Sequence, residues 1–156
     1  MLVAKHRHVH HLLSEQQKQG RVSRLYEAFV HGNLCGSGKI EAPIGRSSAS
    51  IIEREVRDDR QYACTLYKVL KQYGDFTHVQ LQLLTGRTHQ IRVHMSYIGH
   101  PLLGDDLYGG SLDTMKRQAL HCKQLTFYHP FKQETMTFVS DIADDMKAIV
   151  MGNPFS

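Results

Sequence analysis

Residues 84–109, LTGRTHQIRVHMSYIGHPLLGDDLYG, decide both the fold and the candidate site of this chain. The preceding residues, HVQLQL at 78–83, alternate polar and apolar side chains, which predicts a half-buried strand. The Thr-Gly pair at 85–86 interrupts that alternation, and glycine tolerates backbone conformations that other residues resist. The order of these signals predicts a strand, a tight turn and then a helix.

The predicted helix places its apolar side chains on one face. Ile91, Met95 and Ile98 recur at helical spacing, and Thr88 is a plausible N-cap. Gly99, followed by a proline at 101, is typical of a helix end. The spacing therefore predicts that Arg92 points away from this apolar face.

A second stripe of the same helix is polar. His89, Arg92 and Ser96 share it, and Arg87, His89 and Gln90 sit where strand passes into helix. Free backbone N–H groups also face outward at a helix start. These residues predict a corner that binds an anionic ligand, although such a corner can also be a solvated helix start with Arg92 in a structural ion pair.

The rest of the chain predicts one α+β domain whose mixed, mainly antiparallel sheet is flanked by helices. Its length of 156 residues suits a single domain. The patterns predict a helix at 6–19 and strands at 22–30, 61–71, 76–83, 119–129 and 134–139. They also predict a last helix that is capped by Ser140 and has Asp144 and Asp145 near its first turn. The buried face of this helix should consist of Ile142, Met146 and Ile149.

Composition narrows the possible partners and locations. The net charge of +4 suits a polyanionic partner without requiring one. Cys35, Cys64 and Cys122 form no CxxC pair, so we expect reduced thiols in a cytoplasmic protein. No apolar run approaches membrane-spanning length, and we expect no membrane association.

Two segments in the decisive stretch, TGRTHQIRVH at 85–94 and GHPLLGDDLYGG at 99–110, resemble the signature of the RluA-type pseudouridine synthases. That family isomerises uridine in ribosomal or transfer RNA. Other segments resemble it as well: RLY at 24–26, KIEAPIGR at 39–46 and ALHCKQLTFYHP at 119–130. The resemblance implies the catalytic-domain fold of that family, RNA as the partner, and no cofactor or metal.

The resemblance also implies roles for particular residues. Tyr26 corresponds to the active-site tyrosine that stacks on the target base, and a tyrosine ring offers a flipped pyrimidine a flat apolar surface. Arg92 corresponds to the arginine that pairs with the catalytic aspartate. Leu120 corresponds to the apolar residue beside the base, although it could equally be a plain core residue. Arg87, His89 and Gln90 are the remaining candidates for substrate binding.

The family's aspartate motif, of the form HRLDxxTSG, does not occur in these 156 residues. The opening residues MLVAK resemble the strand that follows that motif in the family. We therefore expect the chain to correspond to the C-terminal portion of the catalytic domain and to be inactive in isolation. Its missing amino-terminal half would then be a partner, and the complete enzyme should be monomeric. Asp75, Asp105 and Asp106 are poor substitutes, since all three lie in turn sequences.

Two other functions compete with this interpretation. A non-catalytic RNA-binding module would use the same basic charge without any aspartate. A metal-dependent hydrolase would use the histidines near the amino terminus, of which His6 and His10 have the i, i+4 spacing of two metal ligands. No third ligand is suggested nearby, which makes the hydrolase the weakest of the three.

Overall fold

The computed structural model describes residues 23–46, 54–56, 61–129 and 131–152. Eight strands, two α-helices and one short 3-10 helix lie within these ranges. In chain order they are β1 (Ser23–His31), β2 (Ser37–Glu41), β3 (Ile44–Arg46), β4 (Arg54–Val56), β5 (Cys64–Gln72), β6 (Phe76–Leu83), α1 (Gln90–Tyr97), the 3-10 helix (Asp106–Tyr108), β7 (Leu120–His129), β8 (Glu134–Val139) and α2 (Asp144–Met151).

Six of the strands form one sheet in the order β2-β5-β6-β1-β7-β8. Every pairing in this sheet is antiparallel, and β3 and β4 form a separate antiparallel pair. The predicted α+β class and mainly antiparallel sheet are confirmed. The helix predicted at 6–19 lies outside the described residues.

One face of the sheet is covered by α1. Ala28 of β1 and Val79 and Leu81 of β6 are fully buried, and they form one core cluster with Ile91 and Met95 of the helix. The predicted strand alternation and the predicted helix face therefore meet in this cluster. Burial of these side chains, at about 1.5–3 kcal/mol each, is what places α1 on the sheet.

A second core cluster lies on the opposite face, because neighbouring residues of a strand point to opposite sides. Phe29 follows Ala28 in β1 and packs against Phe76, with ring centroids 5.2 Å apart. Met115 from the loop before β7 and Met146 from α2 complete this cluster. The sheet is thus the middle layer between α1 and α2.

Both helices begin later than their sequences predict. The N-cap of α1 is His89 rather than Thr88, and the N-cap of α2 is Ala143 rather than Ser140, so both cap predictions are wrong. Neither N-cap side chain makes a capping hydrogen bond to its own helix. Hydrogen bonds within the preceding turn determine where α1 starts, and packing determines where α2 starts. The capping preferences of single residues do not predict either effect.

The loop from 102 to 110 is held close to the sheet by its glycines. Gly104 has φ +75°, and a Cβ there would overlap the carbonyl oxygen of Arg117. A Cβ on Gly110 would overlap the carbonyl oxygen of Leu102. Only glycine permits such backbone contact, and the result is a rigid loop that carries Asp105 to the side of α1.

Candidate active site

A cleft of about 370 Å³ opens where α1 begins, beside β1, β6 and the start of β7. All six site residues that the sequence suggested line this cleft: Tyr26, Arg87, His89, Gln90, Arg92 and Leu120. Five further residues complete the lining: Arg24, Leu83, Gly86, Ile91 and Gln118. These residues come from three separate segments of the chain, 24–26, 83–92 and 118–120. The fold therefore brings the candidate residues together at one place.

Tyr26 of β1 provides the aromatic surface of the cleft. Tyr26 in β1 pairs with Leu81 on one side and with Cys122 on the other, next to a register shift after Leu25. Burial raises the pKa of the Tyr26 hydroxyl and Cys122 adds to the rise, whereas the charge and hydrogen bond of Arg24 oppose it. Tyr26 is therefore a neutral, half-buried ring at neutral pH, suited to stacking and to donating one hydrogen bond.

The turn between β6 and α1 is fixed by the amide of Gln90. Its oxygen accepts hydrogen bonds from the Thr85 hydroxyl at 2.7 Å and from the Arg87 backbone N–H at 3.0 Å. Its nitrogen donates to the Cys64 carbonyl at 2.8 Å and to the Thr65 hydroxyl at 2.9 Å. Gln90 is only 2% exposed, and these four bonds use its full hydrogen-bonding capacity.

The same network continues through His94, which is fully buried. The Thr65 hydroxyl accepts from Gln90 and lies 2.8 Å from Nδ1 of His94, which accepts the Thr65 proton when the imidazole is neutral. Nε2 of His94 then donates to the Ala42 carbonyl at 2.9 Å. This arrangement requires a neutral imidazole, and burial correspondingly lowers the pKa of His94, with the bond to Ala42 opposing the shift.

Arg92 forms a bidentate ion pair with Asp105. Its Nε donates to Oδ2 at 2.9 Å and its Nη2 donates to Oδ1 at 2.8 Å. The Asp105 side chain is 1% exposed and that of Arg92 is 16% exposed. The hydrogen bonds to Asp105 raise the pKa of the Arg92 guanidinium. Among the described residues, no hydrogen bond occupies Nη1, which leaves one edge of the guanidinium for a further acceptor.

Tyr108 holds the polar stripe of α1 in place. The Arg92 guanidinium lies 5.0 Å from the centre of its ring, and its hydroxyl is 2.7 Å from Nδ1 of His89. The Ser96 hydroxyl donates to the Tyr108 carbonyl at 2.7 Å. The predicted stripe of His89, Arg92 and Ser96 therefore exists, and it packs around one aromatic residue of the 102–110 loop.

His89 and Arg87 form the outer rim of the cleft. His89 adopts a left-handed backbone conformation with φ 55°, a conformation uncommon outside glycine and often found at functional sites. Arg87 Nε donates to the Tyr62 carbonyl at 2.7 Å. No acidic residue lies in the first turn of α1. Its backbone N–H groups therefore add to the positive charge of the arginines.

Leu120 is the first residue of β7 and lines the cleft. It is half-buried and follows the fully buried Ala119. The segment before it is fixed by Arg117, which pairs with Asp145 of α2 at 2.9 and 2.8 Å and also donates to the Gln118 carbonyl. Gln118 thus lines the cleft from a rigid segment. Sequence reasoning missed it, although it directly precedes the ALHC string.

Asp105 and Tyr108 are the other residues whose importance sequence reasoning missed. The sequence identifies Asp105 only as a residue of a turn, and the structure shows that its carboxylate binds Arg92. Their position in GDDLYG was visible in the sequence. Their contact with α1 was not, because it depends on how the loop folds back.

Within the described residues, no group of three or more His, Cys, Asp or Glu side chains could hold a metal. His6 and His10, on which the hydrolase interpretation rests, lie outside these residues. None of the helices within the described ranges is long and apolar enough to cross a membrane.

Comparison with known proteins identifies the family. A sequence model described as RNA pseudouridylate synthase matches residues 1–97. The chain belongs to the RNA pseudouridylate synthase family. Human RNA Pseudouridylate Synthase Domain Containing 1 shares its fold with a TM-score of 0.76 and 26% identity, over 99% of this chain and 76% of that one. The predicted catalytic-domain fold is thereby confirmed.

Curated relatives in this synthase family are longer than this chain. An uncharacterized RNA pseudouridine synthase of Bacillus subtilis, YjbO, is 54% identical over 153 residues, which are 97% of this chain and 54% of the relative. Ribosomal large subunit pseudouridine synthase D of Pseudomonas aeruginosa is 40% identical over 93% of this chain and 50% of its own length. The chain therefore spans about half the length of the curated relatives it matches.

Proposed function

We propose that this chain carries the uridine-binding part of an RNA pseudouridine synthase active site. The single observation that carries the proposal is the cleft itself. One cavity of about 370 Å³ combines an aromatic ring, Tyr26, an apolar side chain, Leu120, and an arginine, Arg92, held by a buried carboxylate. This combination matches the needs of a reaction on an extruded pyrimidine.

Binding comes first in this proposal. A uridine leaves its stack at a cost of about a few kcal/mol and enters the cleft, where its ring lies between Tyr26 and Leu120. Arg24 and Arg87 at the rim neutralise the flanking phosphates, together with the amino-terminal end of α1. His89 lies at the same rim and contacts the ribose or a phosphate.

The reaction then breaks the C1′–N1 bond, rotates the uracil and joins C5 to C1′. N1 gains a proton and C5 loses one, so the product is an isomer and no redox or metal step is needed. A carboxylate must act at the ribose. We assign Arg92 to hold that carboxylate ionised through the open Nη1 edge, because an opposite charge within about 4–6 Å favours the charged form.

Asp105 does not serve as that carboxylate in this proposal. Both of its oxygens already accept hydrogen bonds from Arg92, and its side chain is 1% exposed. Its role is to aim the guanidinium. The reacting carboxylate belongs to the HRLDxxTSG motif, which the chain does not contain and which we assign to an amino-terminal partner segment.

Gln90 has a positioning role rather than a direct one. It lines the cleft, yet all of its hydrogen-bonding capacity is used within the protein. It fixes the backbone of Arg87 and so the shape of the rim. We therefore expect Gln90 substitutions to alter the cleft through the turn, not through a lost contact with uridine.

The substrate is a structured RNA, ribosomal or transfer. The Pseudomonas relative is named for the large ribosomal subunit, which favours ribosomal RNA. We also propose that the complete enzyme acts as a monomer in the cytoplasm, without a cofactor. The alternative function is a non-catalytic RNA-binding module, favoured by one observation: the basic cleft is complete without any reacting carboxylate.

Uridine selectivity tests the proposal and separates it from this alternative. We expect the chain to bind a fluorescein-labelled oligouridylate more tightly than the matching oligocytidylate in fluorescence anisotropy. Tyr26→Ala should weaken oligouridylate binding about fivefold to a hundredfold, which corresponds to about 1–3 kcal/mol of lost stacking. Salt-dependent binding without base preference, unchanged in Tyr26→Ala, would favour the binding module and contradict the proposal.

A further inference from the structure

A second groove of about 370 Å³ lies at the other end of α1. Leu34 and Ile40 form its apolar floor, and both are more than 90% buried. Tyr67 and Tyr97 provide aromatic walls, and Lys39 and His100 lie at its edge. We call this the tyrosine groove. None of these residues belongs to the cleft at the start of α1.

The two tyrosines differ in exposure, and both line the groove. Tyr67 lies directly over Gly38, where an added Cβ would be 2.7 Å from the tyrosine hydroxyl. Glycine at that position thus lets the Tyr67 ring lie flat on β2. Tyr97 is the last residue of α1 and is 61% exposed. An exposed ring beside a fixed one suits the stacking of a planar ligand.

A row of hydrogen-bonded residues connects the groove with the cleft. Arg87, on the cleft rim, donates to the Tyr62 carbonyl at 2.7 Å. The Tyr62 hydroxyl donates to one oxygen of Glu41 at 3.0 Å, and Lys39 pairs with the other at 2.6 Å. Two cations thus accompany one carboxylate along the row, and the Tyr62 ring is 53% exposed.

We propose that the tyrosine groove is a second RNA-contact site, which seats an unpaired base of the same strand whose uridine occupies the cleft. The proposal rests on the RNA substrate proposed above. The row holds two cations and the exposed Tyr62 ring, with Glu41 offsetting one positive charge, and positive charge beside exposed rings is the chemistry that binds single-stranded nucleic acid. The net charge of +4 also favours a polyanion.

The dimensions agree with one strand reaching both cavities. The eight residues of α1 separate them, and at about 1.5 Å per residue the helix is about 12 Å long. A few nucleotides bridge such a span, whereas a single nucleotide cannot. The length of the RNA should therefore decide whether the tyrosine groove contributes to binding.

The test compares a single nucleotide with a short strand. Uridine monophosphate, followed by NMR through the signals of Tyr26 and Leu120, reports on the cleft, and a labelled oligouridylate, followed by anisotropy, reports on both cavities. We expect Tyr97→Ala to leave binding of the monophosphate unchanged and to weaken binding of the oligouridylate about fivefold to a hundredfold. Tyr97→Phe, which keeps the ring, should bind the oligouridylate as the original chain does.

Tyr128→Ala is the matched control, because Tyr128 is a 40% exposed tyrosine of β7 outside both cavities. Its oligouridylate affinity should not change. The proposal is overturned if Tyr97→Ala binds the oligouridylate normally, or if Tyr97→Ala and Tyr128→Ala weaken it equally. Those results leave the proposed function intact. Failure of the original chain to prefer uridine over cytidine rejects the proposed function instead, and failure to bind the oligouridylate at all rejects both.

Discussion

Replacing Asp105 with alanine should destabilise the protein by about 3 kcal/mol. The carboxylate is 1% exposed, and it accepts two hydrogen bonds from Arg92 at 2.8 and 2.9 Å. Loss of one partner from a buried ion pair typically costs about 3–5 kcal/mol, because the other charge is left without compensation. The Arg92 side chain retains 16% exposure, so it can recover some hydration, and we expect the lower end of that range.

Urea unfolding followed by circular dichroism measures this effect, since the chain has no tryptophan to report by fluorescence. In thermal unfolding the same loss should lower Tm by about 6–12 °C for a chain of this length. Asp106→Ala is the matched control: it lies next to Asp105 but is exposed, and it should cost about 0.5 kcal/mol or less.

A double substitution tests whether the charges of Arg92 and Asp105 are energetically coupled. If the cost of Asp105→Ala arises from the uncompensated Arg92 charge, then Arg92→Met combined with Asp105→Leu should cost less than the two single substitutions added together. A loss below about 1 kcal/mol in Asp105→Ala, or strictly additive costs in the double variant, would refute the view that this ion pair is a buried, coupled unit.

Three further predictions concern the network behind the cleft and the backbone beneath it. The pKa of His94 in the folded protein, followed by NMR, should lie below the value of about 6.5 that it has in the unfolded chain. The contribution of neutral His94 to the free energy of unfolding should therefore be fully present above about pH 6.5 and should fall as the pH drops below that value. Thr65→Val should cost about 1–3 kcal/mol in urea unfolding, because Gln90 loses an acceptor and His94 a donor. Gly104→Ala should lower the free energy of unfolding by more than about 3 kcal/mol, because the new Cβ would overlap the backbone. Gly36→Ala is the control: Gly36 also has a positive φ, but a Cβ there meets no atom within 4 Å, so the loss should be only about 1–2 kcal/mol. Equal losses would contradict a role for backbone overlap.

The strands and the helix face of this protein follow from local periodicity. Alternation at 78–83 predicts β6, and the spacing of Ile91 and Met95 predicts the buried face of α1, because burial on one side of an element leaves a regular pattern in the sequence. The starting residues of α1 and α2 could not be predicted in this way. The Gln90 amide, bonded to Cys64 and Thr65 of β5, fixes the turn before α1, and these partners are distant in sequence.

In the candidate site, too, the sequence predicts which residues take part but not which partners they contact. Its members were suggested by motif strings, and the structure collects Tyr26, Arg92 and Leu120 around one cleft. The partner of Arg92 was not predictable, since it depends on the path of the 102–110 loop. Nor could sequence patterns reveal that Gln90 is internally satisfied, because a polar residue at a helix start is compatible with either exposure or burial.

The most direct test of the central claim is uridine isomerisation, measured as release of tritium from RNA labelled at C5 of uridine. The chain, which matches 54% of the length of the Bacillus subtilis relative YjbO, would be assayed alone and fused behind the amino-terminal half of that relative, as the proposed source of the HRLDxxTSG motif. We predict that the fusion releases tritium, that the chain alone does not, and that Arg92→Ala abolishes release by the fusion. Release by the chain alone, or undiminished release by the Arg92→Ala fusion, would contradict the assignment of Arg92 to a carboxylate supplied from outside these 156 residues.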